Sequence, residues 1–176
     1  MIVKTFSHLF PVCIGDYPFA KDLKEELSPM LENYPDKQDR KTNVKATMTE
    51  WDIKSPQINK FKVYILNELN KFLGTKTANA FKVRYQLRYI NCWANIYNKG
   101  DYTIKHDHFP CYWSFVYFLE TKWYHSSLKF SDSGKGIRPK EGRFVFFPGY
   151  VWHHVNEHKF KEQRITLSGN LDMVEV

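Results

Sequence analysis

FKVRYQLRYINCWANIYN, residues 81–98, is where the chain changes character. Before it, apolar residues recur at helical spacing. From here on they alternate with polar ones and aromatics crowd in, as in strands with one face in a core. Further segments of the same kind follow at 103–108, 112–119 (YWSFVYFL), 126–131, 143–147 (RFVFF), 151–155 and 163–170 (QRITLSGN). Turn signals part them at Lys99-Gly100-Asp101, Ser133-Gly134-Lys135-Gly136, Glu141-Gly142 and Pro148-Gly149. Short strands following one another without interleaved helices predict a mainly β fold: a double-stranded β-helix, jelly-roll and cupin-like, with N-terminal helices.

Upstream, FAKDLKEELSPMLENY (19–34) sets Leu23, Leu27 and Leu31 at helical spacing, and Pro29 predicts a break or two short helices. Residues 35–55 are polar and read as mostly irregular. PQINKFKVYILNELNKFL (56–73) predicts the strongest helix, with Ile58, Phe61, Ile65, Leu69 and Phe72 on one face and Gly74 as its cap. There is no internal repeat, low-complexity tract or linker-like segment. The expectation is one domain over residues 1–176, with 1–79 as helical support and 80–176 as the β core.

Composition narrows the classes. With 43% hydrophobic and 17% aromatic residues, the 176-residue chain can bury a sizeable core. It has no long apolar run, so no membrane-spanning helix is expected. The start, MIVKTFSHLFPVCIGDYPF, lacks the apolar core and cleavage site of a signal peptide. Three cysteines without a CxxC argue against a disulfide scaffold or a cysteine zinc site, and a reducing cytoplasm is the expected location. The net charge of +7 favours anionic partners, but its lysines are scattered and read as general surface charge.

Of seven histidines, six lie beyond residue 105. Two tight groups stand out, His106-Asp107-His108 and His153-His154. Residues i and i+2 of a strand share a face, so His106 and His108 can present two imidazoles while Asp107 points away. A third histidine from a distant strand would complete a facial set that leaves positions open on the metal. Eleven residues after His153 comes Arg164, in QRITLSGN. A guanidinium reads a carboxylate in a bidentate way, and Thr166, two residues on, can add a hydroxyl.

The order His-x-His, distant His, then Arg resembles that of the 2-oxoglutarate/Fe(II) oxygenases. More closely, the chain is similar to the small 2OG-Fe(II) oxygenases of bacteria and tailed phages. The resemblance runs through HLFPVCI (8–14), Trp93-Ala94-Asn95 with Gly100, HDHFPCYWSFVYFLE (106–120), EGRFVFFPGYVWHHV (141–155) and RITLSGN (164–170). It implies iron(II) held by His106, His108 and His153, with His154 a variable neighbour. His108 stands where most of the superfamily has a carboxylate, which leaves Asp107 as a fallback ligand. The resemblance further implies that Arg164 and Thr166 grip the far carboxylate of 2-oxoglutarate, and that Tyr97 and, more weakly, Asn95 contact this co-substrate.

The implied reaction consumes 2-oxoglutarate and dioxygen, releases succinate and CO2, and hydroxylates a C–H bond. A peptide or protein is the leading substrate class, and a phage member would act in its host's cytoplasm. Two competing readings stay open. One is a non-catalytic metal-binding jelly roll holding zinc or nickel. The other is a nucleic-acid-binding accessory module that stacks bases on Trp93, Tyr112, Trp113, Phe115, Tyr117 and Phe118 among Arg84, Arg88 and Lys105. Trp123 and Tyr124 are expected near the mouth of the site.

Overall fold

A computed structural model describes residues 2–6, 10–77 and 85–175. In chain order its elements are β1 (Ile2–Phe6), β2 (Phe10–Asp16), α1 (Ala20–Leu31), β3 (Val44–Lys45), β4 (Thr47–Met48) and α2 (Pro56–Thr77). Then come β5 (Tyr85–Tyr97), β6 (Tyr102–His106), β7 (Trp113–Glu120), β8 (Leu128–Phe130), β9 (Gly136–Ile137), β10 (Arg143–Pro148), β11 (His153–Val155) and β12 (Arg164–Glu175).

The strands form two sheets, β1-β2-β10-β7-β12-β5-β4 and β3-β6-β11-β8-β9, and every ladder within them is antiparallel. An apolar cluster of Val12, Val116, Phe118, Phe130, Val145 and Phe147 fills the space between them at one end. This is the expected double-stranded β-helix.

The helices cover the outer face of the larger sheet. Leu23, Leu27 and Leu31 of α1 and Ile58, Phe61, Ile65 and Leu69 of α2 are fully buried against Phe115, Tyr117, Phe144, Phe146 and Leu167. The two helical stripes are as the periodicity predicts, with Phe72 at the margin of the same cluster.

Four expectations need correction. Pro29 does not break α1: the helix runs through it and ends two residues later, at Leu31. Helix α2 runs through Gly74 to Thr77, so Gly74 is not its cap. Strands β1 and β2 were not foreseen. They pair with each other, and β2 joins β10, which extends the larger sheet from the N-terminus. Strand β12 continues to Glu175, well past residue 170. The start of the predicted 81–98 strand, Arg84 and the 79/80 boundary all lie outside the described residues. Among the described residues no helix is long and apolar enough to cross a membrane.

The stacking platform does not form. Trp93, Trp113, Phe115, Tyr117 and Phe118 are all buried, and only Tyr112 of that set is exposed. Trp123 and Tyr124 pack against each other, with Tyr124 also on Phe160, and neither lines the cavities beside the histidines.

Candidate metal and co-substrate site

Strands β6 and β11 carry the first two histidines. His106 and His153 are direct cross-strand partners. Two residues further along β11, Val155 pairs with Thr103, so β6 carries one residue more than its partner and bulges at Ile104–Lys105. The bulge matters: it turns both Thr103 and His106 inward while Ile104 and Lys105 face solvent.

It also frees the carbonyl of Ile104, which accepts a hydrogen bond from Nδ1–H of His106 at 2.9 Å. His153 repeats the device, with Nδ1 2.9 Å from the carbonyl of Val151. A carbonyl partner fixes the proton on Nδ1 and leaves Nε2 bare, the tautomer a metal needs.

His108 arrives differently. Strand β6 ends at His106, so His108 stands on the following loop rather than on the strand expected for 103–108. That loop is stitched to the turn after β10: the N–H of His108 donates to the carbonyl of Gly149 at 2.7 Å, and the N–H of Gly149 donates to that of Tyr112 at 3.0 Å. A side chain at Gly149 would put its Cβ 1.9 Å from the carbonyl oxygen of Cys111, so glycine is what allows this contact. Sequence reading saw Gly149 only as a turn signal.

The three imidazoles converge, with potential ligand atoms all within 4.8 Å of one another. Burial holds all three below the ordinary histidine pKa. His108 is brought to about 3, first by desolvation and then by His106. At neutral pH they are uncharged bases with free lone pairs. Asp107 does not join them; its carboxylate accepts from the N–H of Phe109 in its own loop.

The remaining candidates line up on the larger sheet. Arg164 pairs with Tyr97 and Thr166 with Asn95 across the β12–β5 ladder, so all four face the same interior. Arg164 is 1% exposed, its guanidinium 4.7 Å from the Tyr97 ring centre and 5.5 Å from that of Phe118. Its Nε and Nη1 have no hydrogen-bond partner. Tyr97 shares a 2.7 Å hydrogen bond with Thr103. The Asn95 side chain is committed at both ends, accepting from the Trp93 indole and donating to Ser168, each at 2.9 Å.

One narrow cavity is lined by His106, His108 and His153 together with Tyr97, Arg164 and Thr166. A buried cation with open donors, beside three neutral imidazoles, is chemically suited to an anionic ligand that reaches a metal. Beyond Arg164, a second buried pair, His125 and His158, stands with ring centres 4.6 Å apart.

Residues 135–170 match the family model described as "Putative 2OG-Fe(II) oxygenase". That span contains His153, Arg164, Thr166 and Asn170. No curated protein matches the chain by sequence. Solved structures share its fold at low identity. One is the viral collagen prolyl hydroxylase of Paramecium bursaria Chlorella virus-1 in its 2OG complex (14% identity, TM-score 0.65, covering 91% of this chain and 94% of that one). Another is a Pseudomonas putida prolyl-4-hydroxylase (14%, 0.64, 94% of each). A third is the Trichoplax adhaerens prolyl hydroxylase bound to a hypoxia-inducible-factor peptide (11%, 0.60, 92% and 83%). The matched segment is thus similar to that oxygenase family, and the chain as a whole shares its fold with these hydroxylases.

Proposed function

We propose that the protein is an iron(II)- and 2-oxoglutarate-dependent dioxygenase that hydroxylates a C–H bond, most fittingly in a peptide or protein, and releases succinate and CO2. The observation that carries this reading is Arg164. A fully buried guanidinium with two unpaired donors is costly to keep unless a ligand satisfies it, and it shares a cavity with three metal-competent imidazoles.

In this reading Nε2 of His106, Nε2 of His153 and a ring nitrogen of His108 hold the iron. When bound, iron supplies the reaction of dioxygen with 2-oxoglutarate, placing one oxygen atom in succinate and the other in the substrate. The protein's own part is binding and orientation. Arg164 takes the far carboxylate through Nε and Nη1, with the Thr166 hydroxyl beside it. Tyr97 covers the guanidinium with its ring and is itself braced by Thr103. Asn95 acts as a positioning residue that fixes Trp93 and Ser168. A peptidyl substrate is favoured by the structural neighbours that are prolyl hydroxylases, one of them bound to a peptide.

The test is an anaerobic titration of the iron(II)-loaded protein with 2-oxoglutarate, followed by its weak visible charge-transfer band, with succinate measured after oxygen is admitted. The band is expected in the wild type and absent from His153→Ala and Arg164→Ala. Bound iron without a band or succinate would overturn the reading in favour of a non-catalytic metal site.

A further inference from the structure

A second cavity, of about 390 Å³, opens in front of His106 and His108. Among the described residues that line it, only those two histidines are ionisable; the polar lining is Thr42, Asn43, Asn91 and Asn170, and the apolar wall includes Trp51 and Trp93. Trp51 is 43% exposed and meets Trp93 edge-on at 4.9 Å, so indole surface runs from solvent to the site.

Two of the asparagines are built in a telling way. Asn91 and Asn170 are cross-strand partners on β5 and β12, next to a bulge at Ile90 that shifts the register. Bulges re-aim side chains, and here both amides turn to the cavity. The Asn91 Oδ1 accepts the backbone N–H of Asn170 at 3.1 Å, which fixes which end of that amide is oxygen. The Asn170 Oδ1 accepts the Ser114 hydroxyl at 2.8 Å. Each amide oxygen is therefore already engaged within the protein, whereas each NH2 group keeps both of its donors for a ligand.

We infer that this cavity recognises an internal, uncharged stretch of peptide, with Asn91 and Asn170 donating to its carbonyl oxygens. The inference rests on the oxygenase reading and names the substrate class of the same site. A free amino acid would bring a carboxylate and an ammonium into a cavity whose described lining has no carboxylate, lysine or arginine to pair either, at a desolvation cost. Nucleic acid would meet no lysine or arginine there among the described residues for its phosphates. A neutral backbone offers carbonyls to the two NH2 groups and apolar surface to the indoles.

The probes are the twenty N-acetyl amino-acid N-methylamides and the same amino acids free. Each is titrated into isotope-labelled protein while the side-chain NH2 signals of Asn91 and Asn170 are followed, and succinate output is measured in parallel. At least one blocked probe is expected to shift both signals, binding about tenfold or more tighter than its free counterpart. Asn91→Asp keeps the oxygen that the Asn170 N–H needs and replaces only the free NH2. It is expected to weaken that probe about tenfold and to turn preference toward the analogue with an unblocked ammonium.

Equal or tighter binding of the free amino acids, no response to any blocked probe, or indifference to Asn91→Asp would each overturn the inference. The two readings fail separately. Probe binding without succinate sinks the oxygenase chemistry alone, whereas succinate without selective probe binding sinks only this one.

Discussion

The two faces of β12 are made by one strand and do opposite work. On the outer face Ile165, Leu167 and Leu171 join the core beneath the helices. On the inner face Arg164, Thr166, Ser168 and Asn170 turn a polar row to the cavities. All seven are shielded from solvent to a large degree, so burial does not separate them; chemistry does. The outer row does what stability asks of a buried residue. The inner row adds a cation with open donors, which no account of stability requires. The inner row is therefore the proposed ligand-binding row, and the contrast can be broken by substitution.

The largest stability effect is expected on the outer face. Leu167→Ala removes a side chain with no exposed surface and leaves a cavity, at a cost of about 2–5 kcal/mol in chemical denaturation. Protein that remains folded is expected to bind 2-oxoglutarate as before. Arg164→Leu is the mirror case. Replacing an unpaired buried guanidinium with an apolar side chain leaves stability unchanged or higher, while 2-oxoglutarate affinity drops by about a hundredfold, the loss of two charge-assisted hydrogen bonds. Calorimetry and denaturation on both variants check the pair. If Arg164→Leu unfolds the protein as readily as Leu167→Ala, the inner row is structural and the contrast is lost.

The legibility of these features follows their range in the chain. The outer row and the helical stripes were readable because periodicity is local: Leu23, Leu27 and Leu31 state their face without reference to anything distant. The candidate triad was partly readable. The spacing of His106 and His108 promised a common face, and the structure brings them together, yet by a strand bulge and a loop rather than one regular strand. The contact between Gly149 and Cys111 that seats His108 joins segments 38 residues apart, and no local pattern announces it. The same holds for Asn91 and Asn170, whose free NH2 groups follow from hydrogen bonds across two ladders. Strand β2 was missed because its partner β10 comes from the other end of the sequence, and β1 joins the sheet only through β2.

Acid sharpens the comparison from the inner side. His125, buried beyond Arg164, has its pKa lowered to about 4 by desolvation, with His158, Arg164 and Lys122 adding to the shift and Glu162 opposing it. A base depressed in the folded state is protonated more readily when unfolded, so its contribution is complete above pH 6.5 and is lost as pH falls towards 4. The three candidate ligands act in the same direction. Thermal unfolding of the metal-free protein is therefore expected to move to lower temperature between pH 6.5 and 4. His125→Phe is expected to flatten that slope by up to one proton. A profile that is level across this window would refute the neutral-histidine interior.

The smallest effect is expected one residue from one of the largest. His153 and His154 are neighbours on β11, and strand geometry sends them to opposite faces. His153 enters the triad. His154 points outward, with its Nδ1 3.1 Å from the Ser131 hydroxyl near the surface. His154→Ala therefore gives up only side-chain hydrogen bonds near the surface, to Ser131 and Asn156, and should change stability by no more than about 0.5 kcal/mol, with iron retention and succinate output close to wild type. His153→Ala is expected to lose both. Measuring bound iron in the two variants side by side tests the register of β11, since a slip of one residue would exchange their roles.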